Sequence, residues 1–366
     1  MSKERILVAM SGGVDSAAAA ALLVAEGHEV VGATLKLWCY GGAKASPRSC
    51  CSLRDIEDAK ASAAALGIRH YVMDEASDFD REVVQPFVSS YLAGETPNPC
   101  VRCNTHLKFG SLSRRARELG FDAVASGHYA RLDQTPDGPV LRRAADASKD
   151  QSYVLWGVSR EELAATRFPL GPYTKDEARE LARNAGMVVA EKIDSQDICF
   201  VEGGRYSDFV KSRTEEAPQT QPGELVDTAG NVLGEHKGAI HYTVGQRRGL
   251  GVAAEEPRYV VRVDAEKNRV VVGQEDELRQ DHLSAREVNW VSCPVPSEPL
   301  EADVKVRYRS QAAPATVRPR GTTAEVFFHE PQRSAAPGQS AVFYRGDVLL
   351  GGGIINPAAK NGEGAG

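Results

Sequence analysis

The sequence predicts an α/β protein with a parallel-sheet N-terminal domain, a small mixed central domain and a C-terminal β-barrel. Strand-like apolar segments alternate with helical segments through the first half of the chain, which is typical of a parallel sheet covered on both faces. After about Phe200, short alternating strands are joined by Gly, Asn or Asp turns. We expect domains at 1–203, 204–281 and 282–356, followed by a disordered tail at 357–366 that has nothing to bury.

The N-terminal segments follow the predicted alternation in order. "RILVAM", "HEVVGATLKLW" and "IRHYVMD" predict strands, whereas "VDSAAAAALLVAEG" and "LRDIEDAKASAAALG" predict helices that end at glycine. A helix near 79–93, a loop carrying two cysteines, the basic helix "LKFGSLSRRARELG" and the strand "FDAVASGHY" complete this half. The pattern predicts a parallel sheet with its ligand site at the strand ends.

The second half predicts mainly strands. A short helix-like piece, "RYSDFVKSR", precedes the turn-rich stretch "QPGELVDTAGNVLGEHKG". Half-buried strands are then predicted at "RYVVRVDAEKNRVVVG", "LEADVKVRYRS", "ATVRPRGTTAEVFF" and "QSAVFYRGDVLLGGGII". Alternation along the second of these strands would place Lys305, Arg307 and Arg309 on one face.

Composition narrows the class of protein. The chain is 42% hydrophobic and 26% charged, as globular proteins are, and no apolar run approaches the about 18 to 20 residues that span a bilayer. The N-terminus lacks a secretory-signal pattern, and seven cysteines do not resemble an extracellular disulfide framework. We therefore expect a cytoplasmic protein without a membrane partner. A net charge of -6 argues against indiscriminate nucleic-acid binding but leaves room for a basic patch.

The segment "AMSGGVDS", Ala9 to Ser16, lies between the first predicted strand and helix. Helix N-termini at the carboxyl ends of parallel strands bind anions, and adjacent glycines let the backbone approach a phosphate. No Gly-Lys-Ser/Thr follows, so the segment is not a Walker loop. A glycine-rich turn with Asp15 or Ser16 capping the helix is the alternative interpretation.

The whole hexad SGGVDS resembles the pyrophosphate loop of the ATP pyrophosphatase superfamily, which cleaves ATP between the α and β phosphates. The ordered motifs "TPNPCVRCN", "GHYAR", "KDQSYVLW", "DSQDICF", "HYTVGQRRGLG", "VRYRSQ" and "PGQSAVFY" are similar to those of the tRNA-specific 2-thiouridylases, the MnmA family, from about Arg5 to Ile355. The resemblance implies an adenine-nucleotide-hydrolase-like N-terminal domain and the use of ATP and Mg²⁺, with Asp15 or a nearby acid holding the metal. It implies a tRNA substrate with a wobble uridine, with Lys, Glu and Gln acceptors, and a sulfur donor such as a cysteine desulfurase or relay protein.

The resemblance also implies roles for individual residues. The predicted nucleotide contacts are Ala9, Met10, Ser11, Gly12, Gly13, Val14, Asp15, Ser16, Leu35 and Gly127. Asn98, Pro99 and Cys100 fall where the family meets the target base. The predicted tRNA contacts are His128, Lys149, Asp150, Gln151, Arg307, Tyr308 and Gln339; for His128 a locally satisfied histidine, and for Lys149 and Arg307 a solvated surface charge, are the alternatives. Basic residues beside the motifs favour phosphate contacts: Lys108, Arg114, Arg115, Arg117, Arg247, Arg248, Arg318 and Arg320.

Two cysteines carry the predicted chemistry. By resemblance, Cys103 in "CVRCN" matches the nucleophile and Cys199 in "DICF" matches the persulfide carrier, although a buried core thiol is the alternative for Cys199. Cys100 departs from the family, which often has aspartate there. Cys100, Cys103 and Cys199 could therefore hold an iron–sulfur cluster, or Cys100 and Cys103 could form a redox disulfide, whereas zinc would want a fourth ligand. Persulfide chemistry is the first interpretation, the cluster is the second, and four cysteines stay unassigned: Cys39, Cys50, Cys51 and Cys293.

The predicted activity is adenylation of the uridine 2-oxo group followed by sulfur transfer, because a ring carbonyl oxygen leaves poorly until it becomes an adenylate ester. One rival is an ATP pyrophosphatase that adenylates a small metabolite and needs neither tRNA nor the cysteines. The other is a non-catalytic RNA-binding iron–sulfur protein. The hexad SGGVDS disfavours this rival, because it resembles a loop that cleaves ATP.

Overall fold

The computed structural model describes residues 3–37, 53–192, 198–201, 205–214, 216–251, 256–333 and 335–358. Cys39, Cys50, Cys51 and the predicted tail beyond residue 358 lie outside these ranges. Within them, α-helices α1 to α9 are, in order, Val14–Ala25, Leu53–Ala65, Ala76–Phe79, Gln85–Leu92, Pro99–Arg102, Leu112–Glu118, Arg160–Ala164, Lys175–Asn184 and Tyr206–Ser212. Strands β1 to β17 are, in order, Arg5–Ala9, Glu29–Lys36, Arg69–Asp74, Ala123–Ser126, Ala130–Thr135, Gly138–Arg143, Thr166–Arg167, Gly223–Val226, Val232–His236, Tyr259–Asp264, Arg269–Gly273, Arg279–Trp290, Leu300–Lys305, Ala313–Arg320, Thr323–Arg333, Ser340–Arg345 and Val348–Ile355.

Short helical turns of other types connect these elements. Two π-helical segments, Asp80–Val84 and Cys103–Ser111, continue α3 into α4 and α5 into α6. The 3₁₀ turns are Ser152–Val154, Val188–Glu191, Pro218–Thr220, Ala239–His241 and Asp276–Leu278. No helix among the described residues is both long enough and apolar enough to cross a membrane.

The N-terminal sheet is parallel throughout, in the order β3-β2-β1-β4-β7. Its central strand β1 is flanked by β2 and β4, so the three carboxyl ends meet at one edge of the sheet. The buried faces of β1 and β2 are apolar because helices cover both sides. The predicted parallel α/β domain is confirmed.

The central domain contains a four-stranded sheet in the order β10-β11-β8-β9, in which only β11 and β8 pair in parallel. Its core is a separate cluster that includes Leu225, Val260 and Val272. This agrees with the small mixed domain that the sequence predicts.

The C-terminal strands form a closed antiparallel barrel. The order is β12-β15-β14-β13-β16-β17, and β12 also pairs with β17, so the six strands leave no free edge. The predicted barrel is confirmed. One feature was missed: the hairpin β5–β6 of the N-terminal half joins the same sheet, where Val348 pairs with Arg142.

The cysteine segment is helical, which corrects the loop predicted there. The Asn98 side chain caps α5 by accepting a hydrogen bond from the backbone N–H of Cys100 at 3.1 Å, and Pro99 is the first helical residue. Proline at this position loses no helical hydrogen bond, since the first N–H groups of a helix have no partner inside it. The helix then continues through Cys103 to Glu118.

The prediction that Lys305, Arg307 and Arg309 share one face of a strand is also wrong. β13 ends at Lys305, and the chain turns at 307–310, where the backbone N–H of Ser310 donates to the Arg307 carbonyl at 3.1 Å. The Ser310 hydroxyl closes the turn from the other side by accepting from the backbone N–H of Arg307. The three basic side chains therefore do not share the side of one strand.

Candidate active site

The loop between β1 and α1 is a closed ring of backbone and hydroxyl groups. The Ser16 hydroxyl accepts a hydrogen bond from the Ser11 N–H and donates one to the Gly13 carbonyl, both at 3.1 Å. Gly12 has a φ of +70°, and a Cβ atom there would lie 2.1 Å from the backbone oxygen of Asp55. Glycine is therefore required at Gly12 by its backbone angle and by the close approach of α2.

Two neighbouring strands support this loop. The Thr34 hydroxyl of β2 donates to the Met10 carbonyl at 2.7 Å and lies 2.9 Å from Nε2 of His70. On the other side, a Cβ atom at Gly127 would lie 2.5 Å from the backbone carbon of Asp15. The loop is thus fixed between the ends of β2 and β4, where parallel sheets bind ligands.

A cavity of about 200 Å³ opens over the loop and is called the loop cavity below. It brings together residues from five separate parts of the sequence. Its lining is Ala9, Met10, Ser11, Asp15, Ser16, Ala33, Thr34, Leu35, Leu37, Lys108, Ser126, Gly127, His128 and Gln151. Most of the predicted nucleotide contacts are in this lining, together with two residues predicted to contact tRNA, His128 and Gln151.

Asp15 is the only carboxylate among the described residues of that lining, and other side chains hold it in place. Its Oδ1 atom accepts hydrogen bonds from Nζ of Lys175 and from the Tyr129 hydroxyl, both at 2.8 Å. The Lys175 side chain is only 9% exposed, so its ammonium group has lost most of its hydration. A buried ammonium is tolerated when a carboxylate compensates its charge, and the pair fixes Asp15 at the start of α1.

A second lysine reaches the loop from the opposite side. Nζ of Lys192 contacts the Gly12 carbonyl at 2.9 Å and carboxylate oxygens of Asp55 and Asp58 at 2.6 Å each. Burial lowers the pKa of Lys192, but the hydrogen bonds and charges of the two aspartates outweigh this effect and raise it. The ammonium group therefore stays protonated and ties α2 to the loop.

Sequence reasoning missed Lys175 and Lys192. Both lie more than 150 positions from the loop, and nothing in the local sequence points to their partners. The only local signal is that Thr174 caps α8 through a capping box with Glu177, which fixes the start of the helix that carries Lys175.

His128 lies at the polar end of the loop cavity as a buried, neutral imidazole. Its Nδ1 atom is 2.7 Å from the Ser126 hydroxyl, and its ring packs against Phe109 and Phe168. Burial, with a smaller effect from the Lys108 charge, holds the pKa of His128 well below 6.5. Gln151 is positioned beside it, since its Oε1 accepts the Tyr129 N–H at 3.0 Å.

Cys103 and Cys199 contact the same apolar cluster, although 95 positions separate them. Cys103 is 8% exposed within this cluster, and Cys199 is partly buried and packs against it, beside Phe200. Leu35 and Leu37 belong both to the cluster and to the lining of the loop cavity. The structure thus brings both predicted sulfur-handling residues to one apolar cluster, and two other members of that cluster line the loop cavity.

Cys100 has a different environment from Cys103. It is exposed in the first turn of α5, whereas Cys103 points into the apolar cluster. Among the described residues, no group of three or more His, Cys, Asp or Glu side chains is arranged to hold a metal ion. In this arrangement Cys100, Cys103 and Cys199 do not fit a three-cysteine cluster site. Cys293 is partly buried in the barrel, where burial raises the pKa of its thiol.

Three of the remaining predicted tRNA contacts lie near one another, and these are Asp150, Arg307 and Tyr308. Both carboxylate oxygens of Asp150 accept hydrogen bonds inside the protein, from the backbone of Ala144 and from Ser152. The Tyr308 hydroxyl donates to the Asp150 carbonyl at 3.3 Å, and its ring is 41% exposed. Arg307 donates to the Val244 carbonyl of the central domain at 3.0 Å.

Asn98 and Pro99 line a second cavity, of about 230 Å³, between the N-terminal half and the barrel. It is called the interdomain cavity below. Its polar lining includes Glu95 and Arg286, and its apolar floor includes Trp156. The helix that begins at Pro99 at this cavity reaches the loop cavity at Lys108, about 14 Å further along at 1.5 Å per residue.

Comparison with known proteins gives consistent matches along the chain. A family model described as a tRNA methyl transferase HUP domain matches residues 4–203, a tRNA methyl transferase PRC-barrel domain matches 207–274, and an aminomethyltransferase beta-barrel domain matches 280–355. The relative from Geobacter metallireducens named tRNA-specific 2-thiouridylase MnmA is 49% identical, with 99% of each chain covered. The relative of the same name from Acetivibrio thermocellus is 44% identical over 97% of this chain and all of its own.

A solved structure of a synthetase shows a weak likeness to part of the chain. The NMN synthetase of Francisella tularensis is 17% identical with a TM-score of 0.35, over 57% of this chain and 71% of its own. A likeness of this size carries no argument about chemistry. The match to full-length relatives is therefore the informative comparison.

Proposed function

The chain belongs to the family of tRNA-specific 2-thiouridylases, and on this basis we propose that it binds ATP and replaces the 2-oxo group of the wobble uridine of tRNA with sulfur. One observation carries the proposal: Cys103 and Cys199 contact an apolar cluster whose Leu35 and Leu37 also line the loop cavity. A rival that adenylates a small metabolite would have no use for either cysteine.

The first step is activation of the base. We propose that the triphosphate lies over Ser11 to Ser16, where backbone N–H groups at the start of α1 favour negative charge, with adenine near Leu35 and Gly127. The uridine O2 attacks the α-phosphorus, the bond to the β-phosphate breaks, and pyrophosphate leaves. Mg²⁺ bound with ATP would neutralise phosphate charge, and Asp15 is the residue that fits it, since Mg²⁺ commonly uses one or two carboxylates plus substrate phosphates.

The second step is sulfur transfer. The terminal sulfur of a Cys199 persulfide attacks C2 of the base. AMP then leaves and carries away the oxygen that was O2 of the uridine. The Cys103 thiolate then attacks the sulfur of Cys199, which releases the 2-thiouridine and forms a Cys103–Cys199 disulfide. An external thiol reductant restores both thiols, and a persulfide donor reloads Cys199. The balance needs no iron, and the exposed position of Cys100 favours this route over a cluster.

The proposed tRNA surface consists of side chains near Asp150 that are exposed or partly exposed. We propose that Lys149, Arg307 and Tyr308 contact the anticodon arm, and that Asp150 shapes the loop that presents Lys149 and Gln151. A wobble base must leave its stack to reach a pocket. Asn98, Pro99 and Cys100 would contact the flipped base as it passes from the interdomain cavity to the loop cavity. The three domains would then be 1–203 for ATP, 204–281 for tRNA and 282–356 for the barrel.

The test is a thiolation assay with tRNA, ATP, Mg²⁺ and a persulfide donor after anaerobic purification with iron analysis. We expect wild-type activity without iron, AMP and pyrophosphate formation, loss of 2-thiouridine in Cys103→Ser and Cys199→Ser, and retained activity in Cys100→Ser. Activity that requires iron would restore the cluster interpretation. AMP formation without any thiolated tRNA would favour the small-metabolite rival.

A further inference from the structure

Residues 94–96, just before the cysteine helix, are contacted by both C-terminal domains. We call them the junction. The chain approaches so closely that a Cβ atom at Gly338 would lie 2.9 Å from both Cβ of Glu95 and the Thr96 nitrogen. On the other side, a Cβ atom at Gly94 would lie 3.1 Å from Val263 of the central domain. The junction is therefore packed between two parts of the protein that follow it by more than 160 residues.

Hydrogen bonds to the barrel fix both the backbone N–H and the backbone carbonyl of Thr96. Its N–H donates to the Pro337 carbonyl at 2.8 Å, and its carbonyl accepts from Nε2 of Gln339 at 2.7 Å. Its hydroxyl donates to the Thr243 hydroxyl at 3.2 Å. All three polar groups of one residue are thus used by the central domain and the barrel.

An ion pair holds the neighbouring residue. Nη2 of Arg286 donates to both carboxylate oxygens of Glu95, at 3.1 and 2.8 Å. The Glu95 side chain is only 10% exposed, so the charge is mostly removed from water and depends on this partner. Arg286 is in turn fixed by Asn356, whose Oδ1 accepts from Nη1 at 3.1 Å.

Only Pro97 separates the junction from the Asn98 cap, and Cys103 lies one turn into the helix that follows. A helix start is set by the direction in which the chain enters it. We propose, on top of the proposed function, that Arg286 and Gln339 are positioning residues for Cys103, acting through Glu95 and Thr96. Gln339 would then serve the reaction through the protein in addition to the tRNA contact predicted for it.

Positioning of Cys103 would give the barrel a role in the reaction, although the barrel is distant from Cys103 in sequence. Displacement of α5 by even about 1 Å would misplace a nucleophile, which can cost about a hundredfold in rate. The barrel contacts α5 directly, through an ion pair between Arg102 and Glu287 at 3.7 Å and through Val101 in the shared core, and at the junction it also holds the chain that enters α5. It can therefore set the position of Cys103 without touching substrate.

The experiment compares Arg286→Met with Arg142→Met as a matched control. Arg142 also bridges the N-terminal half to the barrel, through Asp347 at 2.9 Å, and the two arginine side chains are similarly exposed, at 31% and 32%. We expect Arg286→Met to slow single-turnover sulfur transfer at least tenfold while ATP affinity stays within twofold. Arg142→Met should change neither.

A second readout does not depend on catalysis. Mass spectrometry gives the rate at which iodoacetamide alkylates Cys103, and we expect it to change at least threefold in Arg286→Met and less than twofold in Arg142→Met. Arg286→Lys should restore part of both readouts, because lysine keeps the charge but not the two-fold donation. Gln339→Leu, which removes one hydrogen bond, should act in the same direction if Arg286→Met does not fold.

Equal effects of Arg286→Met and Arg142→Met, or a normal rate and alkylation in both Arg286→Met and Gln339→Leu, would overturn the inference. A wild-type protein that thiolates no tRNA would overturn the proposed function instead, and Cys103 alkylation would still test the positioning.

Discussion

At the scale of single residues, the contact between Asp15 and Lys175 shows where the sequence was insufficient. The hexad predicted Asp15 as a nucleotide contact, and the structure lines the loop cavity with it. What the hexad cannot reveal is the lysine 160 positions later that holds Oδ1. Such a contact depends on how α8 packs against α1, and packing between distant elements leaves no local pattern in a sequence.

We expect Lys175→Met to weaken ATP binding about tenfold, or 1.4 kcal/mol. Without the ammonium group, the Asp15 carboxylate loses the partner that holds its Oδ1 atom and can turn away from the position proposed for Mg²⁺ and the phosphates. The free energy of unfolding should fall by about 1–3 kcal/mol, between the values for exposed and buried pairs, because Asp15 is partly exposed. Titration calorimetry with a non-hydrolysable ATP analogue measures the first effect and urea denaturation the second. Tyr129→Phe, which removes only one hydrogen bond from Asp15, should have a smaller effect, and an unchanged affinity in Lys175→Met would contradict the assignment.

His128 gives a pH dependence whose sign is fixed by its burial. The pKa of His128 is lowered in the folded protein, so between that value and about 6.5 the unfolded chain binds more protons than the folded one. Stability from the neutral imidazole is therefore complete above about pH 6.5 and is lost on acidification, at up to about 1.4 kcal/mol per pH unit. Urea denaturation of wild type and His128→Gln at pH 7 and 5.5 should show a smaller loss in the variant. The comparison is needed because other histidines also have a lowered pKa, and these are His70, His106, His236 and His241. An equal loss in both proteins would argue against a neutral His128.

At the scale of elements, the start of the cysteine helix could have been predicted from "NPCVRC". Asparagine followed by proline is typical of a helix N-terminus, and the structure has Asn98 as the cap and Pro99 as the first residue. The segment was instead predicted to be a loop that carries two cysteines. The local sequence contained enough information to predict this helix start, and the prediction of a loop was wrong.

Removal of the Asn98 cap should lower both the stability of the protein and the rate of sulfur transfer. Asn98→Ala should cost about 1 kcal/mol of stability, since the Cys100 N–H loses its acceptor. Ser159→Ala is the matched control, because Ser159 caps α7 in the same way, with Glu162 as the reciprocal partner. Both variants should lower the urea midpoint similarly, but only Asn98→Ala should slow sulfur transfer. Similar thiolation rates in the two variants would mean that the cap serves stability alone.

At the scale of the whole molecule, the N-terminal half and the barrel share a hydrophobic core. One buried cluster contains Leu141, Tyr153 and Trp156 from the first 160 residues together with Val342 and Leu349 from the barrel. The sequence predicted both domains, because each has its own strand and helix periodicity. It could not predict that the β5–β6 hairpin pairs with β17, since pairing between strands about 205 positions apart is decided by tertiary packing.

The shared core predicts that a cavity in the barrel is felt in the N-terminal half. Leu349 is completely buried, and Leu349→Ala should cost about 2–5 kcal/mol. Because its neighbours include Leu141 and Tyr153, hydrogen exchange should accelerate in β5 and β6 as well as in β16 and β17. Val272→Ala is the control, since Val272 is equally buried in the separate core of the central domain and should accelerate exchange there alone. Mass spectrometry of peptides from all three domains separates these outcomes. Faster exchange confined to the barrel in Leu349→Ala would show that the two regions open independently, despite the core that they share.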